Sequence, residues 1–150
     1  MVNRLLYIFQ FLKDIFDNLF SNQLKEEKIL KKHLKGKIIY FDLGYNLGFE
    51  TQKIKKIFDK NLEIHAFDPN LTHNNVPTDI KFNNFAISKK TGVQKFVKKK
   101  ISSSSGFLEY VKKKPSDKII KVKTIRLDNY CNKNKIKKID YMKIDTEGSD

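Results

Sequence analysis

The sequence predicts an α/β protein, an open parallel sheet with helices on both faces. Three observations carry that expectation. Short runs of β-branched and aromatic residues recur at 37–42, 62–67, 80–87 and 139–144, and each reads as a buried strand. A helix-like stretch at 49–60 separates the first two, the β-α-β order that joins parallel strands. Glycines and carboxylates, from Gly44 to Gly48, at Asp68 and at Asp145, follow directly after these runs, where open α/β sheets bind their ligands.

The chain has 150 residues, enough for one domain of ordinary size, and 39% of them are hydrophobic, more than a disordered chain carries. The single cysteine, Cys131, excludes an internal disulfide framework and fits a reducing compartment, with the cytoplasm as the expected location. His33, His65 and His73 show no ligand spacing, so no metal site is expected.

The formal charge of +14 is regional: residues 89–143 hold 18 Lys or Arg and 4 acidic residues, while the rest of the chain is neutral. Arg4 and Arg126 are the only arginines, whereas base and phosphate recognition favours the guanidinium fork. Phe96, Phe107, Tyr110 and Tyr130 are too scattered for a base-stacking platform, so nucleic acid is not the expected partner. Two readings of the charge stay open, a solvated lysine surface or one that attracts anionic substrates or membrane.

Residues 1–35 read as an amphipathic helical segment, separate from a domain at 36–150. Leu5, Ile8, Phe9, Leu12, Phe16 and Leu19 recur at three-and-four spacing on one stripe. Lys13, Asp14 and Asp17 interrupt the run too early for a membrane span, and a small-residue cleavage site is lacking. The stripe covers the domain or a partner subunit, or it lies on a membrane surface through Leu5, Leu6, Phe9 and Phe16.

After the strand at 80–87, the stretches 92–97 and 118–126 alternate apolar and polar residues, which predicts an antiparallel pair joined through Ser102 to Ser105. The loop Asp42-Leu43-Gly44-Tyr45-Asn46-Leu47-Gly48 has glycines for a sharp turn and an asparagine that tolerates a left-handed backbone. It is G-x-N-x-G, not the G-x-G-x-x-G of dinucleotide sites. Asp68 follows 20 residues after Gly48, at the end of the second strand, where a carboxylate can take both ribose hydroxyls.

Phe41 to Gly48, Ala66-Phe67-Asp68-Pro69-Asn70, Asn84-Phe85-Ala86-Ile87, Thr124 to Asp128 and Ile139 to Gly148 resemble, in order and spacing, the FkbM-type S-adenosylmethionine-dependent methyltransferases. The resemblance covers residues 37–150 and implies a Rossmann-like sheet. It also implies S-adenosylmethionine as cofactor and transfer of a methyl group to a hydroxyl of a sugar or other small metabolite. Asp42, Gly44, Tyr45, Asn46 and Gly48 would then cradle the methionine part, with Asp68 and Pro69 at the ribose and Asn84 and Phe85 near the adenine. Asp145 and Glu147 are the candidates for the acceptor end, with Asp145 facing the acceptor, Glu147 as its neighbour, and Lys143 able to neutralise one of them. Tyr45 stands where the family has a small residue, and Asp68 replaces the usual Glu.

The sequence stops at Asp150, directly after the last box, so the sheet is expected to be incomplete at the C-terminus. Alternatives to an active methyltransferase are an inactive fragment of one, a nicotinamide-dependent enzyme, and a basic module for anionic membrane or nucleic acid. Oligomeric state is left open.

Overall fold

The computed structural model describes residues 24–71, 76–99 and 105–146. The chain divides into two units, Met1–Gly36 and Lys37–Asp150. In the first, residues 24–33 form a helix, α1, carrying an exposed Glu27–Lys31 ion pair one turn apart. The apolar stripe from Leu5 to Leu19 lies outside the described residues. Among the described residues no helix is long and apolar enough to cross a membrane.

The second unit is built on a four-stranded parallel sheet. Its strands are β1 (Ile38–Leu43), β2 (Leu62–Phe67), β3 (Lys81–Asn83) and β8 (Tyr141–Ile144), in the spatial order β3-β2-β1-β8. Every neighbouring pair is parallel. β1 is central and buried along nearly its whole length, as a strand covered on both faces must be.

Its alternation divides the two faces. Ile39, Phe41 and Leu43 join a core closed by Tyr130, Leu127 and Cys131 of α3 (Leu127–Lys133). Asp42, on the other face, accepts a hydrogen bond from Thr51 of α2 (Phe49–Phe58) at 2.6 Å. The expected helix at 49–60 ends as α2 at Phe58 and tightens into a single 3-10 turn, Asp59–Asn61. The break falls at Asp59, whose φ of 46 and ψ of −123 lie outside any helical conformation.

A second sheet, order β4-β7-β5-β6, holds β4 (Ala86–Ile87), β5 (Gly92–Lys98), β6 (Gly106–Phe107) and β7 (Lys118–Ile125). β5 and β7 form the antiparallel pair that their alternation predicts, in register from Gly92 opposite Thr124 to Lys98 opposite Lys118. β6 pairs with β5, and Ser102 to Ser104 lie outside the described residues.

The run at 80–87 is not one strand. It splits into β3, in the first sheet, and β4, in the second, with a bend at Asn84 and Phe85. The Asn84 side-chain amide donates to the carbonyls of Asp68, Pro69 and Leu71. A strand cannot continue through a residue so tied to a neighbouring loop, and local hydrogen bonding of this kind is what asparagine does outside regular structure.

The β5–β7 register sets Lys95 directly opposite Lys121, both exposed, an arrangement that like-charge repulsion disfavours. Lys121→Glu is expected to raise stability by about 0.2–0.5 kcal/mol at low salt, less at 1 M salt. Urea unfolding at the two ionic strengths reads it, and a loss of stability at low salt would contradict the register.

Candidate active site

The C-terminal ends of β1, β2 and β8 meet at one cleft. The loop after β1 reaches it through two left-handed residues, Gly44 at φ 84 and Asn46 at φ 47, the conformation the sequence assigns to this loop. Both the Gly44 and Tyr45 amides donate to the Phe67 carbonyl, at 3.0 and 3.1 Å, so the loop is fastened to the end of β2. Gly44 also passes so close to the β8 exit that a Cβ on it would lie 2.0 Å from the Asp145 carbonyl oxygen. Only glycine permits that approach.

Asp68 joins two loops across the cleft. Its Oδ2 accepts the Asn46 amide and its Oδ1 the Asn70 amide, each at 2.8 Å, while the residue is buried. Burial pushes its carboxyl above the ordinary range, against the pull of the amides of Asn70 and Asn46. A carboxylate offers about four lone-pair sites; with the Leu71 amide also bonded to it, about one remains for a ligand. Beside it, Asn70 Oδ1 is a buried acceptor with no hydrogen-bond partner among the described residues, and both residues line the cleft.

The cleft's walls differ in chemistry. Gly44, Asn46, Asp68, Asn70, Asp145 and Thr146 supply a polar side. Phe67 from β2, together with Ala86, Ile87, Phe96 and Phe107 of the second sheet, supplies an apolar one. Phe96 and Phe107 meet edge to face with ring centroids 5.7 Å apart. Ser105 also lines the cleft, its hydroxyl accepting the Lys99 amide at 3.0 Å.

Of the residues that the sequence singles out, the cleft brings together Gly44, Asn46, Asp68, Pro69 and Asp145. Five others do not line it. Asp42 is buried and bonded to Thr51; its carboxyl is pushed up by burial, opposed by Thr51 and Lys143. Tyr45 is buried against Phe82, rings 6.1 Å apart. Gly48 caps α2 and leaves room for the Tyr45 ring, which accounts for an aromatic side chain in a position where the resembled family has a small one. Asn84 ties the loop after β2, and Phe85 packs on Phe67, ring centroids 5.8 Å apart. Glu147 lies outside the described residues.

Sequence reasoning missed Asn70 and the wall of Phe96, Ser105 and Phe107. Asn70 follows Asp68 by the two residues of an Asx turn, a signal that could have found it, whereas β6 is only two residues long and offers no periodicity from which to pair Phe107 with Phe96. Among the described residues no group of three His, Cys, Asp or Glu gathers to hold a metal ion.

A 3-2-1 run of parallel strands extended by β8 beside β1, with a glycine loop at its C-terminal edge and a carboxylate ending the next strand, defines a Rossmann-like α/β domain. The chain matches the Methyltransferase FkbM domain over residues 31–150. It belongs to that family and carries a methyltransferase domain. Searches of curated proteins and of solved structures found no match.

Proposed function

We propose that the chain uses S-adenosylmethionine to methylate a hydroxyl group on a sugar or other small metabolite. One observation carries the reading: a single cleft joins the Gly44–Asn46 loop, the stapled Asp68, the unpartnered Asn70 oxygen and Asp145. Its donor set fits a nucleoside. Asp68 and Asn70 offer acceptors to ribose hydroxyls, and the Phe67, Ala86 and Ile87 surface suits a flat base.

When bound, the cofactor supplies an electrophilic methyl group on a sulfonium. The chain's own residues would do the rest. Gly44 and Asn46 shape the loop that receives the methionine portion, and Pro69 and Asp68 border the ribose. Asp145, exposed at the cleft with its amide bonded to the Leu43 carbonyl at 3.0 Å, takes the acceptor's hydroxyl proton on its carboxylate. Glu147 is its proposed neighbour. The lysines of 89–143 favour an acidic or phosphorylated acceptor, and the cytoplasm is the proposed compartment. A peripheral membrane role for the N-terminal stripe stays a proposal on residues outside those described.

Titration calorimetry with S-adenosylhomocysteine, beside circular dichroism, tests the reading. The wild-type chain is expected to bind. Asp68→Ala frees the loop amides bonded to it and removes the ribose acceptor, weakening binding by about tenfold or more, with Asp68→Asn intermediate. A folded chain that ignores S-adenosylhomocysteine but takes NADH would overturn the proposal in favour of the nicotinamide alternative. A folded chain that binds neither, yet binds polyanions with steep salt dependence, would point to a basic binding module.

A further inference from the structure

We propose that Lys143 is a positioning residue that locks the glycine loop, the buried Asp42 and the Asp145 carboxylate into one fixed constellation. Lys143 stands beside Asp42 in the β1–β8 register, so both side chains emerge on the same face of the sheet. Its ammonium donates to the Gly44 carbonyl at 2.7 Å. It also lies 3.2 Å from Asp42 Oδ1 and 3.5 Å from Asp145 Oδ2. Three oxygens from three separate parts of the site surround the ammonium: the Gly44 carbonyl takes its hydrogen bond, and the Asp42 and Asp145 carboxylates stand at ion-pair distance.

Charge balance alone does not explain this arrangement. Asp42 has a side chain 1% exposed and needs a cation nearby, because an unpaired buried charge is costly. Yet the shortest contact from Lys143 goes to the neutral Gly44 carbonyl, in the residue whose left-handed turn brings the loop against β8. The side chain reaches past Asp42 to the loop and to the exposed Asp145, and so ties the part of the cleft that would hold the cofactor to the part that would take the proton. The assignment of Asp145 to the reacting end rests on the methyltransferase reading above; the lock on Gly44 does not.

Two variants of the full chain separate the roles, Lys143→Met and the charge-balanced Lys143→Met with Asp42→Asn. Three quantities are read: the urea midpoint, hydrogen exchange of the Gly44, Tyr45 and Asn46 amides relative to those of β2, and affinity for S-adenosylhomocysteine. All three loop amides are hydrogen-bonded in the native structure, so each reports on loop order. Lys143→Met is expected to lower the midpoint, or to unfold the chain. The double variant is expected to recover the midpoint, while loop protection and affinity stay down by about tenfold. Recovery of all three would show that Lys143 only balances Asp42 and would overturn the proposal. If the wild-type chain takes up no S-adenosylhomocysteine, the cofactor reading falls, and loop exchange still decides whether Lys143 is a lock.

Discussion

Gly44→Ala is expected to destabilise the chain more than the same change at any other left-handed glycine described here, and to abolish ligand binding at the cleft. Of the four positive-φ glycines among the described residues, the three with φ between 70 and 84 form a graded series. Gly36, at φ 70, has nothing among the described residues within 4 Å of where a Cβ would stand, so alanine there meets only the backbone cost of about 1–2 kcal/mol. At Gly48, φ 72, the new carbon meets the Tyr45 ring at 2.4 Å, and a side chain can yield. At Gly44, φ 84, it meets the Asp145 carbonyl oxygen at 2.0 Å. That atom belongs to backbone held by the Asp145 amide bond to Leu43, so relief requires parting β1 from β8. Urea unfolding of the three variants should rank Gly44 above Gly48 above Gly36. Equal losses at Gly44 and Gly36 would mean that the close approach does not persist in solution.

The second large effect is expected at Phe41. It is fully buried at the centre of β1, stacked on His65 at 4.9 Å, tilted against Phe67 at 5.5 Å and met edge-on by Tyr130 at 5.9 Å. His65 in turn bonds the Tyr130 hydroxyl at 2.7 Å, its other ring nitrogen lies 3.1 Å from Glu63 Oε1, and burial pulls its imidazole below the usual range, so the cluster carries a hydrogen-bonded polar pair inside an aromatic core. Phe41→Ala removes the ring that both halves of that pair rest on. A truncation of this kind costs about 3–5 kcal/mol, a large part of the ~5–15 kcal/mol available to a folded domain. Phe41→Leu should keep most of the stability. A loss below about 1 kcal/mol for the alanine variant would place Phe41 outside the cooperative core.

Those two positions also show what could be read in advance. Phe41 sits in a run of β-branched and aromatic residues with few alternatives to a buried strand, and β1 and β2 lie within a residue of the positions that such runs predict. The left-handed backbone at Gly44 and Asn46 was legible because it is a local demand of the loop; Asp68 was singled out by its place after the second strand, and the amides it accepts from Asn46 and Asn70 emerge only from the structure. The split of residues 80–87 was not legible, since Phe85, Ala86 and Ile87 suit a strand by composition and the bend is imposed by carbonyls 13 to 16 residues away. The contact of Lys143 with Gly44 spans 99 residues of sequence; it follows from strand order, which periodicity does not encode. The same holds for the aromatic wall, whose place at the cleft depends on how a hairpin folds back.

The split strand has a further meaning. Only two residues, Asn84 and Phe85, carry the chain from the sheet that bears the glycine loop to the sheet that bears the aromatic wall. At that step the gape of the cleft is a matter of chain length, as in a caliper with a fixed spacer. One residue added there would lengthen the spacer and exchange the sides on which Ala86 and Ile87 point, reshaping the wall while the parallel sheet and its loop stay unaltered. Insertions and deletions at this joint are therefore the shortest mutational route by which such a domain changes the size of what it holds.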